Sequence, residues 1–164
     1  MAPTSKLRCS YLIRAATPAD GEAMMALMPR LAAFEIPESR TPEHLWRDDA
    51  ELLREWIDGG TNGCFVHVAE NEKGDILGFT MVRLRPELLS HEPSSHLETI
   101  AVAEGAEGRG IGQALLNTAE DAARKHGAQT ITLHVFSTNA RARRFYERAG
   151  YDGELIRYIK PIAD

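Results

Sequence analysis

The stretch from His96 to Gly112 carries the residue types and spacing from which chemistry can be read. His96-Leu97-Glu98-Thr99-Ile100-Ala101-Val102 has strand composition. Glu107-Gly108-Arg109-Gly110-Ile111-Gly112 is a glycine-rich turn, and the helix-like run Gln113 to His126 follows it. Strand, glycine turn and helix together make an anion cradle. The first N–H groups of a helix lack intrahelical acceptors, the helix dipole adds positive potential, and glycine lets the backbone approach the anion. The chemistry on offer is therefore the holding of a phosphate or pyrophosphate. Two common phosphate loops do not match. No Gly-Lys-Ser/Thr follows, as a P-loop requires, and Gln113 stands where the dinucleotide fingerprint needs its third glycine.

The strand before the turn changes phase. Leu97 begins an apolar pattern on odd positions, whereas Ile100 and Val102 continue it on even positions. One extra residue, a β-bulge, produces such a slip. A strand buried on both faces also loses its alternation. Both readings stand at this stage.

The elements that must position this stretch follow from caps and periods. Tyr11 to Ala15 predicts a short first strand. Thr17-Pro18 signals a helix start, with Thr17 as N-cap, and Pro29 should kink or end the stripe Met24, Leu27, Met28 and Leu31. Phe34 to Arg40 is loop. Thr41-Pro42 opens a second helix marked by Leu45, Leu52, Leu53 and Trp56, and Gly59-Gly60 closes it. Its Trp residues, like the Met residues before it, belong to the core. Cys64 to Glu70 and Ile76 to Arg85 predict two strands joined by the hairpin turn Asn71 to Gly74. Pro86 to Ser95 is expected to be loop. After the glycine turn, Ile111, Leu115, Thr118, Ala119 and Ala122 share one helix face, which Gly127 ends. Thr130 to Phe136 predicts a strand, Asn139 to Ala149 a helix, and Tyr151 to Ile162 at least one last strand. The order β-α-α-β-β-β-α-β-α-β implies a mixed sheet with helices on its faces.

Composition bounds the rest. At 164 residues, 43% apolar and 26% charged, the chain suits one soluble domain over 1–164, with residues 1–9 a flexible N-terminus. A net charge of −5 gives no support for nucleic-acid binding. Cys9 and Cys64 make neither a disulfide framework nor a metal set. No signal segment and no bilayer-spanning run is present, which predicts a cytoplasmic protein without membrane partners.

Three segments together resemble the GNAT superfamily of acyl-CoA-dependent N-acetyltransferases. Leu97 to Val102 looks like the family's bulged fourth strand. Arg109-Gly110-Ile111-Gly112 looks like its cofactor loop. Asn139-Ala140-Arg141-Ala142-Arg143-Arg144-Phe145-Tyr146-Glu147-Arg148-Ala149-Gly150-Tyr151 resembles its Asn-x-x-Ala-x-x-Phe-Tyr-x-x-x-Gly-Phe/Tyr signature in spacing throughout. The resemblance implies a mostly antiparallel, twisted sheet with a bulged, splayed central strand and helices on both faces. It implies acetyl-CoA as co-substrate and no metal. Backbone groups of Ile100, Ala101 and Val102 would pair with the pantetheine arm. N–H groups of Gly108, Arg109, Gly110, Ile111, Gly112 and Gln113 would hold the pyrophosphate. Asn139 would bind the pantetheine, Tyr146 would sit by the thioester sulfur, and Glu98 would be the general base.

The chemistry asks for the same types. A primary amine, with a reference pKa of about 10.4, must lose a proton before it attacks a thioester. A carboxylate in a partly dry cleft can take that proton, backbone N–H groups freed by a bulge can stabilise the oxyanion, and a tyrosine can protonate the leaving thiolate. Plainer roles stand beside these. Tyr146 could be a core tyrosine, Glu98 an exposed strand residue, and Asn139 only an N-cap. His91 and His96 are rival bases, and His134 should pack on the sheet. The basic run Arg141, Arg143, Arg144 and Arg148 is either a solvated face or a 3′-phosphate contact. Glu107 departs from the family pattern, which has Gln or Arg there, and a carboxylate facing a pyrophosphate would repel it. The leading function is N-acetyl transfer to a small-molecule or peptide amine. A non-catalytic acyl-CoA-binding or sensing module is the alternative, and a nucleotide-binding domain of another fold is disfavoured by the unmatched glycine motifs. Acceptor sites in this fold lie in the loops Phe34 to Arg40 and Pro86 to Ser95, where Glu35, Glu38, Glu87 and Glu92 could attract a cation. Many relatives dimerise, and a homodimer is left open.

Overall fold

Two Thr-Pro pairs set the first helices. The Thr17 N–H donates to the Asp20 carboxylate (2.8 Å), and the Thr41 N–H donates to His44 Nδ1 (3.1 Å), so each chain entry is pinned by the residue three places on. The computed structural model describes residues 10–163. The expected flexible N-terminus, 1–9, lies outside them. A 3₁₀ turn at Pro18–Asp20 leads into helix α1, Gly21–Leu27. Pro29 ends the α-helix as expected, and the chain continues as a 3₁₀ turn over Met28–Ala32. Helix α2 is Pro42–Ile57.

The strands are β1 Tyr11–Ala15, β2 Cys64–Asn71, β3 Ile76–Pro86, β4 Pro93–Val102 and β5 Thr130–Thr132, in sheet order β1-β2-β3-β4-β5. The first three pairings are antiparallel and β4–β5 is parallel. Helix α3, Ile111–Lys125, makes the crossover between β4 and β5, and α4, Ala140–Arg148, follows β5. One sheet face buries Val66, Val68, Phe79, Met81 and Ala101 under α1 and α2, through Met24, Leu53 and neighbours. The other packs Val82 and Leu97 against Leu116 and Ala119 of α3, with Phe145 and Tyr146 of α4 beside them. The buried face of α3 is Ile111, Leu115, Leu116, Ala119 and Ala123, so Leu116 and Ala123 replace the expected Thr118 and Ala122.

Three expectations fail. Pro93, Ser94 and Ser95 belong to β4 rather than to a loop, which leaves only Glu87–Glu92 between β3 and β4. Their polar side chains are buried because β5 satisfies them: Ser94 Oγ lies 2.7 Å from Thr130 Oγ1, and Ser95 Oγ donates to Thr130 O (3.1 Å). Strand β5 stops at Thr132, and Leu133–Phe136 has no strand partner. The expected last strand within Tyr151–Ile162 is absent among the described residues. That segment pairs with nothing and exposes Leu155, Ile156, Tyr158, Ile159 and Ile162.

Candidate active site

One inserted residue opens the site. Met81 of β3 faces Thr99, whereas Val82 faces Leu97, so β4 carries an extra residue at Glu98. The slip puts Leu97, Ile100 and Val102 on the same face, against α3 and α4. The phase change in the sequence is therefore a bulge, and the burial of Ser94 through Leu97 on both faces accompanies it. Beyond the bulge β4 leaves β5. Pairing ends at His96–Thr132, and among the described residues no strand flanks β4 on that side from Glu98 to Val102. Leu133–Phe136 runs on as the opposite wall.

The wedge between them is a cleft of about 190 Å³. Glu98, Thr99 and Ile100 line it from β4; His134 and Phe136 from the segment after β5; Asn139 and Tyr146 from α4; and Arg30, Phe34 and Asp49 from the first two helices and their loop. Tyr146 is tucked edge-on between Phe145 and Tyr151, with ring centroids at 5.2 and 5.7 Å. Tyr151 is itself fixed by donating to Glu120 (2.8 Å). Burial pushes the Tyr146 hydroxyl up to about 12, so it keeps its proton at neutral pH. Asn139 caps α4, its Oδ1 accepting from Ala142 N–H (3.1 Å), which leaves the amide NH₂ free to point elsewhere.

The glycine turn is built as a cradle. Gly108 and Gly110 have φ of 74° and 79°, a left-handed conformation that side-chained residues avoid, and Gly110 is the N-cap of α3. The N–H groups at the start of α3 therefore lack intrahelical acceptors. Arg109 folds back to donate to Gly105 O (2.9 Å).

Glu107 is not a bare carboxylate. Its Oε1 accepts from Arg30 Nη2 (2.6 Å) and Arg141 Nη1 (3.1 Å), while Arg30 Nε donates to Val102 O (3.2 Å). Although burial opposes the charge, the Arg141 contact and the Arg30 charge outweigh it and hold the Glu107 carboxyl below its usual range. The expected repulsion is thus offset, and Glu107 ties the turn, α4 and the segment after α1 together. Arg141 makes this contact, and Arg143 donates to Ser137 O (3.2 Å).

Of the remaining candidates, Glu98 and His134 line the cleft and the others fall elsewhere. Glu98 Oε1 is held by Arg83 through Nε (3.0 Å) and Nη2 (2.9 Å), with Arg85 at 3.9 Å. His96 is buried, bonded through Nδ1 to Thr132 Oγ1 (2.7 Å), and driven down to about 4 by burial and by its neighbours Arg85, His134 and Arg83. It does not line the cleft. His91 lies in the β3–β4 loop at φ 61°, outside the cleft lining. His134 is exposed beside His96, ring centroids 4.7 Å apart, rather than packed beneath the sheet. Of the two supposed acceptor loops only Phe34 lines the cleft, and none of their four glutamates does. Glu87 instead accepts from the N–H groups of Leu89 (2.9 Å) and Ser90 (2.6 Å) and closes its own turn. The sequence reading missed Asp49. It interrupts the apolar stripe of α2 between Leu45 and Leu53, and a carboxylate in such a place was the available signal.

A bulged central strand that leaves its parallel neighbour and leads through a glycine turn into a helix N-terminus is the frame of an acyltransferase of mixed sheet. The Acetyltransferase (GNAT) family profile matches residues 29–151, and the chain belongs to that family. Streptothricin acetyltransferase from Streptomyces lavendulae is 31% identical over 156 residues, covering 87% of this chain and 82% of the relative. The spore coat polysaccharide biosynthesis protein SpsD of Bacillus subtilis is 30% identical over 149 residues; these cover 88% of this chain but 48% of SpsD, so the chain spans about half of that relative. Among solved structures, a putative acetyl transferase from Pyrococcus furiosus superposes with a TM-score of 0.75 at 27% identity, covering 93% of this chain and all of that one.

Proposed function

We propose that this chain, as one domain over residues 1–164, transfers an acetyl group from acetyl-CoA to the primary amine of a small molecule or peptide, by direct attack through a tetrahedral intermediate. The observation that carries the reading is the wedge itself. The Glu98 bulge leaves a free strand edge and a protonated tyrosine at one cleft, and the same strand runs on into the glycine turn and the N-terminus of α3. The residues suit acetyl-CoA. The free edge at Ile100, Ala101 and Val102 can take an amide-bearing arm as an added strand would, although Val102 O is already shared with Arg30. The N–H groups from Gly108 to Gln113 suit a pyrophosphate, and the Asn139 amide suits a pantetheine carbonyl. Tyr146 supplies the proton that the leaving thiolate takes. Glu98, fixed by Arg83, gives the cleft an acidic wall.

A cytoplasmic setting belongs to the same reading. Cys64 is a free, buried thiol, and among the described residues no helix is long and apolar enough to cross a membrane. So does a homodimer, for which the unpaired apolar run from Leu155 to Ile162 is the motive. The test is release of free thiol from acetyl-CoA with a panel of primary amines. Turnover with at least one amine is expected. Acetyl-CoA binding with no release for any amine would replace the enzyme by an acyl-CoA-binding module.

A further inference from the structure

Glu98 is the carboxylate that the sequence brings to the bulge, but Arg83 and Arg85 already face it. A second carboxylate stands in the same cleft. Asp49 comes from α2, half-buried, and takes part in none of the ion pairs among the described residues. Its carboxyl lies beside the Thr99 hydroxyl, and Thr99 Oγ1 is buried without a hydrogen-bond partner. Two polar groups, one from α2 and one from the bulged strand, meet in the cleft near enough for the hydroxyl to favour the carboxylate, yet without the geometry that would satisfy Thr99 Oγ1. Buried polar groups are ordinarily satisfied, so an N–H donor entering between them would complete both. Leu31, Phe34, Leu45, Leu97 and Phe136 supply apolar wall around them.

Resting on the acetyl-transfer reading, we propose that Asp49 accepts the proton of the acceptor amine, and that the acceptor is a cationic primary amine carried on an apolar shoulder. The ammonium gives one proton to Asp49, which later passes it to water. The neutral nitrogen attacks the thioester carbon. The C–N bond forms, and the C–S bond breaks as the intermediate collapses. The thiolate takes a proton from Tyr146, and the second proton lost by nitrogen restores Tyr146 through solvent. One proton is released overall.

The electrostatics fit this division. Burial first, with the negative charges of Glu98 and Asp48 adding, raises the Asp49 carboxyl to about 7 against the pull of the Thr99 hydroxyl. Arg30, His134 and Tyr146 also line the cleft, while Arg83 and Arg85 face Glu98. A base near neutrality and an acid near 12 are two groups pushed to suit opposite tasks.

The experiment uses two acceptors, phenethylamine, which is protonated at pH 7.5, and hydroxylamine, which is already neutral there. Asp49→Asn should lower kcat/KM for phenethylamine by about 10²–10⁴-fold at pH 7.5, with partial recovery at high pH. Activity with hydroxylamine should change far less, and acetyl-CoA affinity by calorimetry should not change. Glu98→Gln should keep the acidic limb of the wild-type pH profile, whereas Asp49→Asn should lose it. Equal losses with both acceptors, or a profile that overlays the wild type, would overturn the role of Asp49. Wild-type turnover with other amines but not phenethylamine would overturn the apolar shoulder. No turnover with any amine, despite acetyl-CoA binding, would remove the acetyl-transfer reading and this inference with it.

Discussion

Asp49 makes a thermodynamic prediction that needs no substrate. Burial holds its carboxyl up to about 7 in the folded protein, against an ordinary value of 3.8. The folded state therefore binds the proton more tightly than the unfolded chain does. Stability from this group is fully present below the unfolded pKa and is lost as pH rises through about 7. The shift spans about three units, and integrating it from pH 5 to pH 8 gives a loss of about 2–3 kcal/mol, an upper value for a half-buried group. Asp49→Asn removes this contribution, since the amide carries no charge at either pH. Urea unfolding of both proteins at pH 5, 6, 7 and 8 reads the effect. The Asn variant should gain on the wild type from pH 5 to 7, the difference should level off above 7, and the variant should be the more stable at pH 8. A wild-type-minus-variant difference that stays flat from pH 5 to 8 would refute the raised pKa.

Three further outcomes are expected. Tyr146→Phe should lower kcat by about 10²–10⁴-fold while leaving acetyl-CoA affinity nearly unchanged, and wild-type turnover at saturating amine would remove Tyr146 as proton donor. Glu107→Ala should free Arg30 and Arg141, so acetyl-CoA should bind more tightly at low salt, with a gain that shrinks as salt rises; calorimetry showing weaker binding at every salt concentration would mean that the posed arginines matter more than the added charge. Removing residues 154–164 should turn a dimer into a monomer by light scattering. Five large apolar side chains stand exposed along this one segment, as at an interaction surface, and a monomeric full-length protein would refute the dimer.

What was legible in the sequence was what local chemistry dictates. Thr-Pro and glycine signals and the Asn71–Gly74 turn place α2, β2 and β3 to within a residue or two, whereas Pro18 opens a 3₁₀ turn and α1 begins three residues later, at Gly21. The bulge could be suspected because it moves apolar residues from one phase to the other. The failures share a cause, which is that strands are made by partners. Ser94 and Ser95 look like loop because their burial depends on Thr130. Leu133–Phe136 and Tyr151–Ile162 have strand composition, yet nothing pairs with them. At the site, Tyr146 and Asn139 were singled out through the family signature they resemble, and both line the cleft. The pairing of Glu107 with Arg30 joins residues 77 positions apart and left no local trace. Asp49 shares the cleft with Glu98 only because α2 packs over the sheet.

The short β4–β5 junction has a consequence for motion. Among the described residues, three residue pairs, Ser94 to His96 with Thr130 to Thr132, and the bond from Gln129 N–H to Pro93 O (2.9 Å) join the antiparallel part of the sheet to the strand after α3. Regions so lightly joined open below the free energy of global unfolding. Amide protons of β5 should therefore exchange with solvent sooner than those of β2 and β3. A molecule lodged in the wedge would touch both sides and act as a staple, slowing exchange in β5 and α4 while leaving β2 unaltered. The opening proposed for acetyl-CoA is also the seam along which the protein should breathe.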